Sequence, residues 1–259
     1  MVIVKHIPNS ITCLNLLSGC IGIVFCLKGR LDVAFVLMLA AAVFDFCDGF
    51  AARALGAYSD IGKELDSLAD VVSFGVLPSI ILFSLMEIFA GPRSLFSYLP
   101  FLLAAFSALR LAKFNLDERQ HDSFLGLATP ASAMICGSYG YLVQKYSSLA
   151  LEHPVFHIVF ILCLTAVLCS LMVSEIQMFN MKFNKLSEEA LAAMSEDEKK
   201  ALVMKENLKK QKRIAFITIV VIIVATVSCL GLNWSLVFFL TFMAYIIMNL
   251  IFRLFPSTR

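Results

Sequence analysis

Asp45 and Asp48 stand three residues apart, and Asp66 and Asp70 four apart, in two consecutive apolar stretches of the chain. On helices each pair shares one face, with Cβ atoms roughly 5–6 Å apart. Two consecutive antiparallel spans can therefore bring four carboxylates together. Such a gathering is costly. An aspartate at a membrane-helix centre costs about 2.5–3.5 kcal/mol on insertion scales, less near an end, where these sit. Four packed anions also repel one another. Cations are the natural compensation, and all-oxygen donors select hard ions such as Mg²⁺ or Mn²⁺. Two such ions about 3.5–4 Å apart form a clamp suited to phosphoryl chemistry. Pairing with Arg53, Lys63 or Arg110 is the bland alternative, but these are too few bases for four carboxylates. An ion or proton pathway in a transporter is the other, since buried acids are expected there too.

Small residues accompany the acids. Gly49 and Ala52 follow Asp48 on one helical face, where small side chains admit a ligand close to the backbone. The same spacing also serves plain helix–helix packing in membranes. Arg53, next in sequence, can hold a diphosphate through paired hydrogen bonds or simply anchor the helix at the inner face.

The elements that must position these residues are membrane helices. The chain has 259 residues, 60% apolar and only 15% charged, with a mean hydropathy of +0.86. So few charges cannot cover a water-facing surface, and lipid must serve as solvent. A net charge of +2 gives no footing for a nucleic-acid partner. The eight cysteines form no C-x-x-C pair and fall in apolar runs, as small hydrophobes do. Eight stretches approach the roughly 20 residues a span needs: 9–27, 32–55, 65–90, 96–114, 128–146, 154–177, 214–231 and 234–253. The first is read as a retained helix, since it holds Asn15 and Ser18 and shows no clear cleavage site. The expected fold class is an all-α polytopic bundle with both termini cytoplasmic. That orientation leaves only Lys28, Arg30, Arg93 and Lys145 outside, of 21 Lys and Arg, as the positive-inside rule asks. It puts Asp45 to Asp70 at the cytoplasmic face of the cell membrane. The polar stretch 182–213, with a candidate capping box at Ser195-Glu196-Asp197-Glu198, is expected to connect residues 1–181 to a C-terminal helix pair, 214–259. Its basic end, Lys209 to Arg213, suits anionic lipid.

The run Asp45-x-x-Asp48-Gly49-x-x-Ala52-Arg53, eight residues, Gly62, three residues, Asp66, three residues and Asp70 resembles the complete signature of the CDP-alcohol phosphatidyltransferase family. The resemblance implies a membrane transferase that moves a phosphatidyl group from CDP-diacylglycerol to an alcohol with release of CMP. Two divalent ions, Mg²⁺ or Mn²⁺, would be held by Asp45, Asp48, Asp66 and Asp70, with Asp66 bridging. Asp70 would also serve as general base on the acceptor hydroxyl. Asp48, Gly49, Ala52, Arg53 and Gly62 would shape the CDP-lipid site. The opening Pro8-Asn9-Ser10-Ile11-Thr12 is similar to the family's own, which implies nucleotide contacts for Asn9 and Thr12, although both suit a helix cap as well. A homodimer is implied by the same likeness.

The signature leaves the acceptor open. Arg110-Leu111-Ala112-Lys113-Phe114-Asn115, Phe124-Leu125-Gly126-Leu127-Ala128-Thr129-Pro130 and Leu171-Met172-Val173-Ser174-Glu175 together resemble the family branch whose membrane-spanning members use L-serine. In the second stretch Ala128 stands where a proline is usual. Arg110 can bind a carboxylate as a planar fork, with Lys113 and Asn115 as further candidates for serine. Anchoring explains the two bases equally, and a helix cap explains Asn115. Inositol phosphate or glycerol phosphate remains a rival acceptor, with Arg110, Lys113, Arg119 and Lys63 as the phosphate-binding bases.

Overall fold

The computed structural model describes residues 6–92, 94–116, 124–178 and 196–254. Helix α1 covers Ile7–Leu27 and α2 covers Leu31–Leu55. Gly56, with φ of 59°, closes α2 in the left-handed conformation, where a side chain would be strained. Ser59 then caps α3 (Asp60–Asp70), its hydroxyl accepting from the Gly62 amide at 3.0 Å. A π-helical turn, Val71–Val76, joins α3 to α4 (Leu77–Ala90) without a break. A 3₁₀ stretch, Leu95–Phe101, leads into α5 (Leu102–Leu116). After β1 (Phe124–Leu125) come α6 (Thr129–Lys145), the short α7 (Ser147–Glu152) and α8 (Pro154–Val173). Then follow β2 (Gln177–Met178), α9 (Glu196–Cys229) and α10 (Ser235–Leu254).

The protein is therefore all-α, with one two-residue antiparallel pair among the described residues, Phe124 to Met178 and Leu125 to Gln177. Seven helices among the described residues are long and apolar enough to cross a membrane. The sequence suggests eight. The difference is α6, which has 17 residues, about 25 Å of helix, and sits at the lower limit of a spanning length. It is also the most enclosed helix among the described residues, with residues 131–140 all buried. The third span begins at Asp60 rather than at residue 65, because Ser59 caps it there. The sixth ends at Val173, before the β2 turn. The polar-to-apolar change at residue 213 falls inside one continuous helix, α9. Ser195 of the candidate capping box, Arg119, and residues 182–195 of the polar stretch lie outside the described residues.

Small residues on α6 let its neighbours close in. A side chain at Gly137 would meet the Phe35 ring and, at 2.9 Å, the Met38 sulfur of α2. One at Gly140 would run into Ile81 of α4. Phe35, Met38, Ile81 and Ile135 are fully buried around this contact. The C-terminal pair packs on the same helix: α10 lies along α6, and Trp234 stacks on Phe35 at 5.7 Å. Gly140→Val should lower the melting temperature in detergent, a cost of about 1–3 kcal/mol for forcing extra methyl groups into a packed seam. An unchanged melting curve would mean that α4 and α6 are not in contact there.

Helix α1 has an unexpected place. It packs broadly against α2 and also against α3, while α2 and α3 scarcely meet backbone to backbone. Helix α1 thus flanks both acid-bearing helices, and residues of all three line a cavity.

Candidate functional site

Asp45 and Asp48 project from the last three turns of α2, and Asp66 from the middle of α3. One carboxylate oxygen from each lies within 4.8 Å of the others. Asp48 is 5% exposed and its Oδ2 accepts from the Thr12 hydroxyl of α1 at 2.6 Å. Asp66 Oδ1 is buried and has no hydrogen-bond partner. Among the described residues no base forms an ion pair with Asp45, Asp48, Asp66 or Asp70. Pairing with Arg53, Lys63 or Arg110, the bland account of these acids, does not occur. An all-oxygen trio with an orphaned buried oxygen fits a hard divalent cation, and the cluster can hold one.

Asp70 stands apart from this trio, not within 4.8 Å of all three, although its charge is within reach of theirs. It lies one turn further along α3 than Asp66, and its Oδ1 accepts from the Asn15 side-chain amide of α1 at 3.1 Å. The π-helical turn begins at the next residue. Ser73 within that turn donates to the Asn15 carbonyl at 3.0 Å, and a side chain at Gly19 would collide with the Ser73 hydroxyl. Helix α1 is therefore pressed against the widened turn, and that contact fixes Asn15 on Asp70. Such π insertions recur at functional sites because they re-aim a helix face. Sequence reasoning gave Asn15 no role. Its only trace there is a carboxamide in the middle of an apolar run that must find a partner when buried.

Between α2 and α3 lies a cavity of about 520 Å³. Seven candidate residues line it: Asn9, Thr12, Asp48, Gly49, Ala52, Gly62 and Asp66. Pro8, Ala57, Tyr58, Ser59, Asp60 and Lys63, to which no nucleotide role attached in sequence, complete the wall. Gly62 is where the wall is tightest, because a side chain there would meet Asn9 Oδ1 and the Ser59 hydroxyl at 3.0 Å. Arg53 is exposed beside the cavity, one turn beyond Gly49.

The three candidates for serine do not line that cavity, and they are not together. Arg110 is buried, 6% exposed, on α5. Its Nη1 donates to the Thr129 hydroxyl at 3.1 Å, its Nε has no partner, and its charge lies within electrostatic reach of Asp70. Asn115 is engaged elsewhere: its amide donates to the Ser67 hydroxyl at 2.9 Å and its carbonyl accepts from Lys63 at 3.1 Å. Lys113 is exposed. The other two stretches linked to the acceptor do meet. The Gly126 amide donates to the Ile176 carbonyl and the Leu127 amide to the Leu171 carbonyl, both at 2.9 Å. Gly126, with φ of 73°, is packed so closely that a side chain would press on the Met172 carbonyl at 2.6 Å. Thr129 thereby reaches Arg110. All eight cysteines are free thiols.

The model of the CDP-alcohol phosphatidyltransferase family matches residues 5–171, a region that holds every candidate residue above. The chain is similar to the archaetidylserine synthase of Methanothermobacter thermautotrophicus, 36% identical over 152 residues, which covers 56% of this chain and 61% of that protein. It is similar to the CDP-diacylglycerol–serine O-phosphatidyltransferase of Bacillus subtilis, 35% identical over 133 residues, 50% of this chain and 72% of that protein. The protein of the same name from Helicobacter pylori is 33% identical over 177 residues, 68% of this chain and 72% of its own length. The alignment therefore falls short of two thirds of the first relative's length.

Proposed function

The chain belongs to the CDP-alcohol phosphatidyltransferase family, and on that footing we propose that it transfers the phosphatidyl group of CDP-diacylglycerol to the hydroxyl of L-serine, releasing CMP. The observation that carries this is the meeting of Asp45, Asp48 and Asp66 within 4.8 Å, with no base paired to them among the described residues, beside a cavity of about 520 Å³ whose wall includes Asp48 and Asp66. The relatives' printed names favour serine as the acceptor.

In this proposal the cavity takes the CDP end of the lipid. Gly49, Ala52 and Gly62 leave room for the nucleotide, Asn9 and Thr12 offer it polar atoms, and Arg53 approaches the diphosphate from the edge. Mg²⁺ or Mn²⁺ ions, two in number and held by Asp45, Asp48, Asp66 and in part Asp70, would supply positive charge against the diphosphate and the departing CMP. Asp70 takes the proton from the serine hydroxyl, a poor nucleophile at neutral pH without a positioned base. Asn15 holds one of its oxygens, leaving the other for that proton. The buried Arg110, with a free Nε and Asp70 nearby, is suited to the serine carboxylate. Asn115, already tied to Ser67, supports α3 rather than serine, and Lys113 acts at the surface. Attack by the hydroxyl oxygen on the lipid-side phosphorus breaks the bond to CMP directly, with no covalent enzyme intermediate.

The site is proposed to face the cytoplasm on the distribution of Lys and Arg. The catalytic unit is proposed as residues 1–181, with 182–213 a connector and 214–259 an added helix pair. A homodimer is proposed on family likeness alone.

The test supplies the purified protein with CDP-diacylglycerol and, separately, labelled serine, inositol phosphate or glycerol phosphate. Serine-dependent CMP release with labelled phosphatidylserine is expected. A lipid product from another alcohol and none from serine would overturn the acceptor while leaving the reaction. No CMP with any acceptor would overturn the reaction and restore the transporter reading.

A further inference from the structure

A cavity of about 950 Å³ opens at the end of the bundle opposite the aspartates. Its position follows from α6. Thr129, at the start of that helix, touches Arg110 near Asp70. Gln144, at its end, accepts from the Asp32 amide at 2.7 Å at the start of α2. That start lies 14 residues, about 20 Å of helix, from Asp45. The walls are hydrocarbon and aromatic, including Leu142, Val143, Phe160, Leu236 and Phe239. Exposed Tyr146, just past the end of α6, and exposed Glu152 and His153, at the end of α7, give it a polar edge.

One polar pair interrupts this apolar wall. The Tyr139 hydroxyl of α6 lies 2.6 Å from His157 Nδ1 of α8. The imidazole is held in place by Phe89, stacked on it at 4.7 Å, and by the edge of Phe156 at 5.4 Å. Tyr139 is 8% exposed. A neutral imidazole carries one N–H and a phenol one O–H. Their mutual bond uses one of the two, so one donor remains whichever nitrogen bears the proton. A spare donor in an apolar wall is costly unless something accepts from it. Its depth indicates what does. Tyr139 lies six residues before the end of α6 and His157 three after the start of α8, about 9 Å and 5 Å inward from the helix ends. That is the boundary between headgroups and acyl chains. A pocket of this size with apolar walls and few polar groups is the usual form of a small-molecule site.

We propose that this cavity binds one diacyl glycerophospholipid from the leaflet opposite the aspartates, its chains along the apolar walls and an ester carbonyl accepting from the Tyr139–His157 pair. The bilayer supplies the ligand at high concentration, and only the amphiphile's junction matches a single donor set between a hydrocarbon slot and a polar edge.

The experiment compares dioleoyl phosphatidylcholine with its diether analogue, which has the same chains but no ester carbonyl. Delipidated protein in detergent is titrated with each and the bound copies are counted by native mass spectrometry. A diester carrying a photoreactive group in one acyl chain maps the position in phosphatidylcholine vesicles. One tightly held diester is expected, bound about tenfold better than the diether, the worth of one hydrogen bond, with labelling concentrated on residues 139–160. The double variant Tyr139→Phe/His157→Phe keeps an aromatic ring against Phe89 but removes both donors, and it should bring diester affinity down to that of the diether. Leu236→Trp should displace both lipids. Melting temperatures of the two variants within a few degrees of wild type establish that they fold. Equal affinity for diester and diether, no change in the Tyr139→Phe/His157→Phe variant, labelling spread evenly over the lipid-facing helices, or crosslinks to a second copy of the chain would each overturn the proposal.

Discussion

Asp70→Asn is expected to leave the protein folded and able to bind CDP-diacylglycerol while transfer to serine falls by about 10²–10⁴, the usual contribution of a positioned base. The substitution is nearly isosteric. The new carboxamide oxygen can still accept from Asn15, so the bond at 3.1 Å that ties α1 to α3 survives. Asp70 is 7% exposed, so removing one buried anion among four should not weaken the fold. What disappears is the ability to take a proton. Asp70 is also not within 4.8 Å of all three other carboxylates, so cation binding at Asp45, Asp48 and Asp66 should persist. The measurement pairs CMP release with a separate CDP-lipid binding assay. Near-wild-type turnover in the variant would remove Asp70 from the base role and leave the trio untouched.

Asp66→Asn has a different signature and a comparable loss. Its unpartnered, buried Oδ1 is the oxygen with the most to gain from a cation. In wild-type protein Mn²⁺ should raise the melting temperature, since a ligand at a hundred times its dissociation constant contributes about 2.7 kcal/mol. In Asp66→Asn that rise should vanish, and activity should fall at least about 100-fold, the upper end for residues that merely support a metal ligand. The sign reverses without metal. After chelation the variant should melt at or above wild type, because one of several crowded anions has been neutralised. This is the usual opposition between a strained site and a stable fold. A wild-type melting curve indifferent to Mn²⁺ and Mg²⁺ would sink the metal reading. A variant that still responds would relieve Asp66 alone.

Much of the site was legible because its chemistry is local. The three- and four-residue spacings within α2 and α3 put each acid pair on one face whatever the surroundings. Lipid as solvent follows from composition, and the all-α class from apolar runs near 20 residues, since a barrel strand needs only about 9–11. The span ends were less legible. Hydropathy does not register the hydrogen bonds that stop a helix, such as Ser59 capping α3 or the β2 turn after Val173. Helix α6 reads as a span by its apolarity, and at 17 residues it is at the short end for one, while only the packing reveals its internal place in the bundle. Asn115 shows the limit for single side chains. As a carboxamide at a helix end it suits a ligand and a strut alike, and only the position of Ser67 on another helix separates the two.

The sequence by itself determined the acids, their pairing in twos, the glycines that leave room beside them and the membrane that surrounds them, all consequences of covalent spacing and solvent preference. The tertiary structure alone decided that α1 packs against both acid-bearing helices, and that a cavity lined by all three opens beside the acids. It also decided that Thr12 and Asn15 of α1 hold Asp48 and Asp70, and that the π-helical turn aims the last aspartate at the bundle. These depend on contacts between residues 36 to 58 positions apart. Such contacts are set by how side-chain volumes such as those of Gly19 and Ser73 fit together, and periodicity along one chain carries no record of that fit.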